Sequence, residues 1–145
     1  MLKIVPLLLL FLASSAMADE YCQRPDKIDP EYPAGIDGRY EIIGRLPESD
    51  VAYTGQLQIA NGTKAYSLRR TVAGKTITGE GWIEFCSADR YMVFKFRYNS
   101  GTKPFVGICY PRSNGDNYYI ISCYTSDGTA FTHHGLESMF QLQAP

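Results

Sequence analysis

The chain has 145 residues, 45% of them hydrophobic and 20% charged, with a formal net charge of −1. That length fits one ordinary domain. A near-neutral balance, with no basic run longer than Arg69-Arg70, excludes a nucleic-acid or anionic-membrane surface.

The N-terminus reads as a secretory signal peptide over residues 1–18. Met1-Leu2-Lys3 supplies a positive charge, Ile4 to Leu12 is apolar apart from Pro6, and Ala16-Met17-Ala18 places small residues before a cut after Ala18. The apolar run is too short for a spanning helix, which needs about 20 residues, and no Cys stands at the cleavage point. The expected mature chain, 19–145, is therefore an exported, soluble domain. Without Lys3 it holds 13 basic residues (14 − 1) against 15 acidic, a net charge of −2.

Residues 19–37, with Pro25, Pro30 and Pro33, read as an extended N-terminal arm. From Gly38 the pattern becomes short apolar runs between turns: Gly38–Leu46, then Val51–Ala60. Asn61-Gly62 follows, a strong two-residue hairpin signal. Thr63–Val72, the Ala73-Gly74 turn and Lys75–Phe85 come next, and Gly79-Glu80-Gly81 predicts a bulge or sharp bend. Asp89–Tyr98 alternates, with Met92, Phe94, Phe96 and Tyr98 on one face. Pro104–Tyr110, Asn117–Tyr124 and Gly128–His133 complete the strand candidates. Leu136–Leu142 reads equally as a helical turn or a last strand. No segment keeps a 3.6-residue period, and the eleven Tyr and seven Phe favour strands. Turn signals every 8–12 residues predict an all-β single domain: an up-and-down barrel or strongly bent antiparallel sheet, with a sandwich as the alternative.

Four cysteines, Cys22, Cys86, Cys109 and Cys123, permit three pairings. Cys109 and Cys123 flank the turn-forming run Pro111–Asn117, and a hairpin centred near Asp116 sets them opposite each other, within disulfide range. Cys22 would then close onto Cys86. A zinc site is the weaker reading, since there is no C-x-x-C and His133-His134 has the wrong spacing.

Catalytic constellations fail on spacing. Glu80 and Glu84, four apart on a strand, lie about 13 Å apart, beyond either glycosidase geometry. His133 and His134 point to opposite faces and cannot chelate one ion together. Asp127-Gly128-Thr129 and Asn114–Asn117 lack the ligand ladder of a calcium loop, and no G-x-S-x-G is present. Asn61-Gly62-Thr63 matches a glycosylation sequon that its turn role explains, and Trp82 reads first as a core residue. The reading is a binding protein with no catalytic residue, metal or cofactor.

The signal ending Ala16-Met17-Ala18, the compact strand-rich body from Gly38, the four cysteines and the polar turns around Asn114-Asp116 and Ser126-Asp127 together resemble the small periplasmic immunity proteins made against type VI-secreted peptidoglycan hydrolases. The nearest likeness is to the immunity partner of a secreted muramidase of Pseudomonas. That resemblance implies a periplasmic inhibitor that occludes the muramidase's substrate groove and so gives self-protection. On exposure and chemistry, the polar groups expected to enter the groove are Ser126 and Asp127, then Asn114 and Asp116, then Glu80. Tyr124 and Tyr110 are the expected apolar anchors beside them. The alternative is a calycin-like carrier of a small apolar ligand, its barrel lined by Phe94, Phe96, Phe105, Ile120 and Tyr118.

Overall fold

The computed structural model describes residues 22–142 apart from 30, 32, 34, 88, 102, 114–118 and 129–132. It contains nine strands: β1 (Cys22–Gln23), β2 (Gly38–Arg45), β3 (Ala52–Ala60), β4 (Tyr66–Val72), β5 (Lys75–Cys86), β6 (Tyr91–Ser100), β7 (Lys103–Ser113), β8 (Tyr119–Ser126) and β9 (Gly135–Gln141). From β2 to β9 each strand pairs antiparallel with its chain neighbour, and β9 returns to β2 from Tyr40↔Gln141 to Arg45↔Leu136. The meander therefore closes as an eight-stranded antiparallel barrel, rather than staying a bent sheet or splitting into a sandwich. Closure removes the exposed edges that an open sheet would present.

β1 is the extra strand. β4 pairs with β5 only from Val72↔Lys75 to Tyr66↔Gly81, and β5 runs on to Cys86. β1 takes the edge left there, with Cys22 opposite Cys86. Cys109–Cys123, which the hairpin spacing predicts, and Cys22–Cys86, which follows by elimination, are both disulfides. The second joins directly opposed residues of β7 and β8. Two disulfides are compatible with an exported protein in an oxidising setting.

Alternation along the strands fills the interior. Tyr40 and Ile42, Leu57 and Ile59, Tyr66 and Leu68, Phe94, Phe96 and Tyr98, Ile121 and Met139 are buried. So many rings fit one small barrel because glycines stand beneath them. A Cβ on Gly81 would sit 2.6 Å from the Phe94 ring, one on Gly79 would meet Tyr98, and one on Gly107 would meet Phe96. The β5 ladders run unbroken through Gly79-Glu80-Gly81, so the expected bulge is absent and these glycines are seats for aromatics. Gly81→Ala is accordingly expected to overpack the core and cost about 1–3 kcal/mol, read as a lower urea midpoint. An unchanged midpoint would mean that Phe94 moves aside freely.

Local differences from the sequence reading have physical causes. Asn61-Gly62 does not make a two-residue turn; Ala60 pairs with Ser67 across a loop of residues 61–65. A tight turn would pair Ile59 with Lys64 and turn the lysine inward. The wider loop keeps Lys64 exposed and lets the carbonyls of Thr63 and Lys64 accept hydrogen bonds from Ile28 N and Arg24 Nη2. Ala73-Gly74 does form the tight turn, both residues at positive φ. The last segment is a strand, β9, because it must close the barrel. Gly128 and His133 lie in bends, and the rest of the Gly128–His133 strand candidate lies outside the described residues.

Candidate functional site

Inward residues of each strand form the core, so the alternate residues form the barrel's outer wall. That wall is chemically one-sided. On β3, β4 and β5 it carries Thr54, Gln56, Gln58, Ser67, Arg69, Thr76, Thr78 and Glu80, all exposed. On β7, β8 and β9 it carries large apolar groups interspersed with Ser122 and Ser138, and on β2 Ile43 stands between the charged Glu41 and Arg45. Ile108 stands opposite Tyr124, and Tyr124 opposite Leu136, at 57%, 65% and 44% exposure. Tyr110, Phe140 and Ile43 extend the patch and are also exposed. Arg112, two residues beyond Tyr110, shares this outer face of β7 and is exposed. Single apolar groups stand in water at little cost, whereas apolar groups opposed in register on neighbouring strands form a patch.

The residues singled out from sequence fall in different places. Tyr110 and Tyr124 are on the apolar wall, Tyr124 with His134 edge-on to its ring at 6.0 Å between centroids. Ser126 and Asp127 follow Tyr124 at the upper end of the barrel, where the β2–β3, β4–β5, β6–β7 and β8–β9 connections lie. Ser126 Oγ accepts from Gly128 N, and Asp127 pairs with Lys103 at 3.7 Å. Asn114 and Asp116 lie outside the described residues, but the strand ends that flank them, Ser113 and Tyr119, are at the lower end. Glu80 is on the polar wall, paired in register with Ser67 and Arg97, on a strand three positions around the barrel from β8. It cannot share a contact face with Tyr124. Ser126, Asp127, Tyr124 and Tyr110 remain one neighbourhood.

Of the proposed carrier lining, Phe94 and Phe96 are fully buried among packed side chains, and Phe105 packs against Phe96 and Tyr98. Ile120 belongs to the outer phase of β8, whose inward residues include Ile121 and Cys123, and Tyr118 lies outside the described residues. Trp82, expected in the core, is on the outer face of β5, where its Nε1 donates to Glu84 at 2.8 Å.

Sequence reasoning missed a polar group inside the barrel's upper end. Glu137, 1% exposed, accepts at Oε2 from Arg70 Nε (3.0 Å), Arg70 Nη2 (2.8 Å) and Tyr53 Oη (2.7 Å). The Arg70 guanidinium lies between the Tyr53 and Phe105 rings, 4.9 and 5.1 Å from their centroids. Burial, then the Glu137 charge and hydrogen bond, push the Tyr53 phenol well above its usual range. Burial alone opposes the Arg70 charge, but Glu137 outweighs it and raises the guanidinium further. Gly44 makes this possible, since a Cβ there would collide with the Tyr53 hydroxyl. Above the ion pair is an open cavity of about 430 Å3 whose walls include Leu46, Val72, Ile77 and Phe105. Glu137 Oε1, Tyr98 Oη and Thr125 Oγ1 are buried with no hydrogen-bond partner among the described residues.

The only grouping of potential metal ligands among the described residues is Cys22, Glu84 and Cys86, and its two sulfurs are joined in a disulfide. His133, in a bend, and His134 precede β9 and do not lie on a strand: His133 meets Glu48 through its backbone N at 2.8 Å and its ring at 3.5 Å, whereas His134 meets Tyr124.

The fold and surface define a small closed β-barrel with one apolar flank and a buried ion pair inside its upper end. Compared with protein-family models, curated proteins and solved structures, the chain gives no match.

Proposed function

We propose that this protein is an exported, non-catalytic binding protein that docks its apolar flank on a secreted peptidoglycan-degrading muramidase and occludes its substrate groove. The observation that carries the reading is the one-sided wall: Ile108, Tyr124 and Leu136 in direct register on three adjacent strands, facing a polar wall across the barrel. Tyrosine and arginine are the side chains that most often dominate binding energy at protein interfaces. This flank offers Tyr110, Tyr124 and Arg112 together on two strands. A glycan-cleaving groove carries carboxylates, and an exposed guanidinium beside aromatic rings is complementary to them. Ser126 and Asp127, at the end of the strand that bears Tyr124, add hydrogen-bond acceptors for a protonated catalytic acid. A closed barrel with two disulfides lowers the ordering cost of binding.

The test is inhibition of peptidoglycan hydrolysis by a secreted muramidase, sought first among the products of genes neighbouring this one, titrated with the pure protein. Inhibition at equimolar protein is expected. Tyr124→Lys should weaken it at least tenfold, about 1.4 kcal/mol, while stability changes by no more than about 0.5 kcal/mol. Asp127→Lys should weaken it by a similar factor if the turn enters the groove. No inhibition, or full inhibition by Tyr124→Lys and Leu136→Lys alike, would refute the proposal. Sedimentation showing that these variants abolish a homodimer would assign the wall to a second copy instead.

A further inference from the structure

The arm and the barrel enclose a second cleft, at the lower end and away from the apolar flank. Its walls are Pro25, Ile28, Tyr66, Trp82, Ile83 and Phe85, and its volume is about 210 Å3. Three cations border it, Arg24, Lys27 and Lys64, against one acid, Asp29. We propose that this cleft binds a small amphiphilic anion: a free carboxylate, or a similar acid, on one ring or one short chain.

Three observations carry the inference. First, the cleft is built rather than incidental. It opens where β5 leaves β4, and the arm that roofs it is pinned repeatedly. Cys22 is bonded to Cys86, Gln23 pairs with Phe85, Arg24 Nη2 donates to Lys64 O at 3.2 Å, and Ile28 N donates to Thr63 O at 3.2 Å. Second, one of its aromatic walls, the Trp82 ring, is held in place. Trp82 Nε1 donates to Glu84 Oε1 at 2.8 Å, Lys95 Nζ pairs with Glu84 Oε2 at 2.6 Å, and the Arg24 guanidinium lies 4.8 Å from the Trp82 ring centroid. Partial burial pushes the Glu84 carboxyl up, but hydrogen bonds from Lys95 and Trp82 and the nearby Lys95 and Arg24 charges outweigh it and hold it low. This anchor is therefore ionised and charge-paired at neutral pH, and a preformed wall costs little to order on binding. Third, the charge is one-sided. Glu84 is spoken for by Lys95, whereas Lys27 and Lys64 are exposed at the rim. An apolar slot with a net positive rim selects an apolar body that ends in an anion. At about 210 Å3 it is smaller than the sites of about 300–1,000 Å3 that hold drug-sized ligands. That volume favours a free small acid over a lipid with two chains.

Trp82 is the only tryptophan in the chain, so the cleft carries its own reporter. Emission excited at a tryptophan-selective wavelength is followed while the oxidised full chain is titrated with octanoate, with acetate and with 1-octanol. Octanoate is expected to shift the emission with saturation below about 1 mM. Acetate, lacking the apolar body, and octanol, lacking the charge, should bind at least tenfold more weakly. Lys64→Glu should weaken octanoate at least tenfold, and Lys27→Glu in the same direction. Lys75→Glu, at the other end of the barrel, should leave binding unchanged. Equal binding of octanol and octanoate, indifference to both rim reversals, or no saturable shift with octanoate would overturn the proposal. None of these outcomes bears on the muramidase reading, which rests on the opposite flank.

Discussion

Glu137→Ala is expected to lower the free energy of unfolding by about 3–5 kcal/mol, because it strands a buried arginine without its counter-charge. Glu137 Oε2 accepts two hydrogen bonds from Arg70 and one from Tyr53, and the Arg70 side chain is only 8% exposed. Taking two ions out of water is expensive, and their attraction offsets that cost only when both are present. The double variant Arg70→Met with Glu137→Leu should therefore recover most of the loss, since a packed apolar pair of similar volume is often neutral or better. Urea unfolding with linear extrapolation measures both. A single-variant loss under about 1 kcal/mol would show that Arg70 swings into the open cavity that it borders and finds water there.

Removing the Cys22–Cys86 bridge is the second large effect. Its residues are 64 apart in sequence, so the chain-entropy model assigns it about 4 kcal/mol, against about 3 kcal/mol for Cys109–Cys123 at a separation of 14. The two bridges differ more in what else they hold. Cys109 and Cys123 belong to a continuous β7–β8 ladder that persists without them. Cys22 belongs to a two-residue strand whose pairing with β5 is too short to hold alone. Cys22→Ser with Cys86→Ser is thus expected to destabilise by about 2–4 kcal/mol and to release the arm, so that Trp82 loses Arg24 from its face and its emission shifts to the red. Cys109→Ala with Cys123→Ala should destabilise without moving that emission. If Trp82 emission is the same in both variants and the parent, the arm is held by its hydrogen bonds and not by the bridge.

The barrel was legible because closed meanders leave local marks. Turn formers recur every 8–12 residues from Gly38 on, strand period is fixed at two, and the turn-rich run between Cys109 and Cys123 sets those cysteines in register. These are short-range properties, decided by φ/ψ preference and chain connectivity. Where turn chemistry competed with tertiary contacts it misled, as at Asn61-Gly62, where the arm's hydrogen bonds and the cost of an inward Lys64 give a wider loop.

Tyr110 and Tyr124 were found as interface candidates because they flank turns, and they do share one exposed flank. Ile108, Leu136 and Phe140 were not found. Apolar residues in strands read as core, and on β7 and β8 both phases of the alternation carry apolar groups: Ile108 beside Cys109, Ile120 beside Ile121. Period two says that such neighbours face opposite ways; it does not say which way is in. Barrel closure decides that, by choosing the phase that packs against Phe94 and Met139. The pairing of Arg70 with Glu137 across 67 residues was equally out of reach, as was the meeting of Arg24 with Trp82. The sequence by itself determined the strand-rich meander and set Cys109 opposite Cys123, products of local conformational preference, and left Cys22 to Cys86 by elimination. Only the tertiary structure decided which apolar groups came to stand on the outer wall, which charge was buried and how the arm met Trp82, because those depend on residues that no local rule brings together.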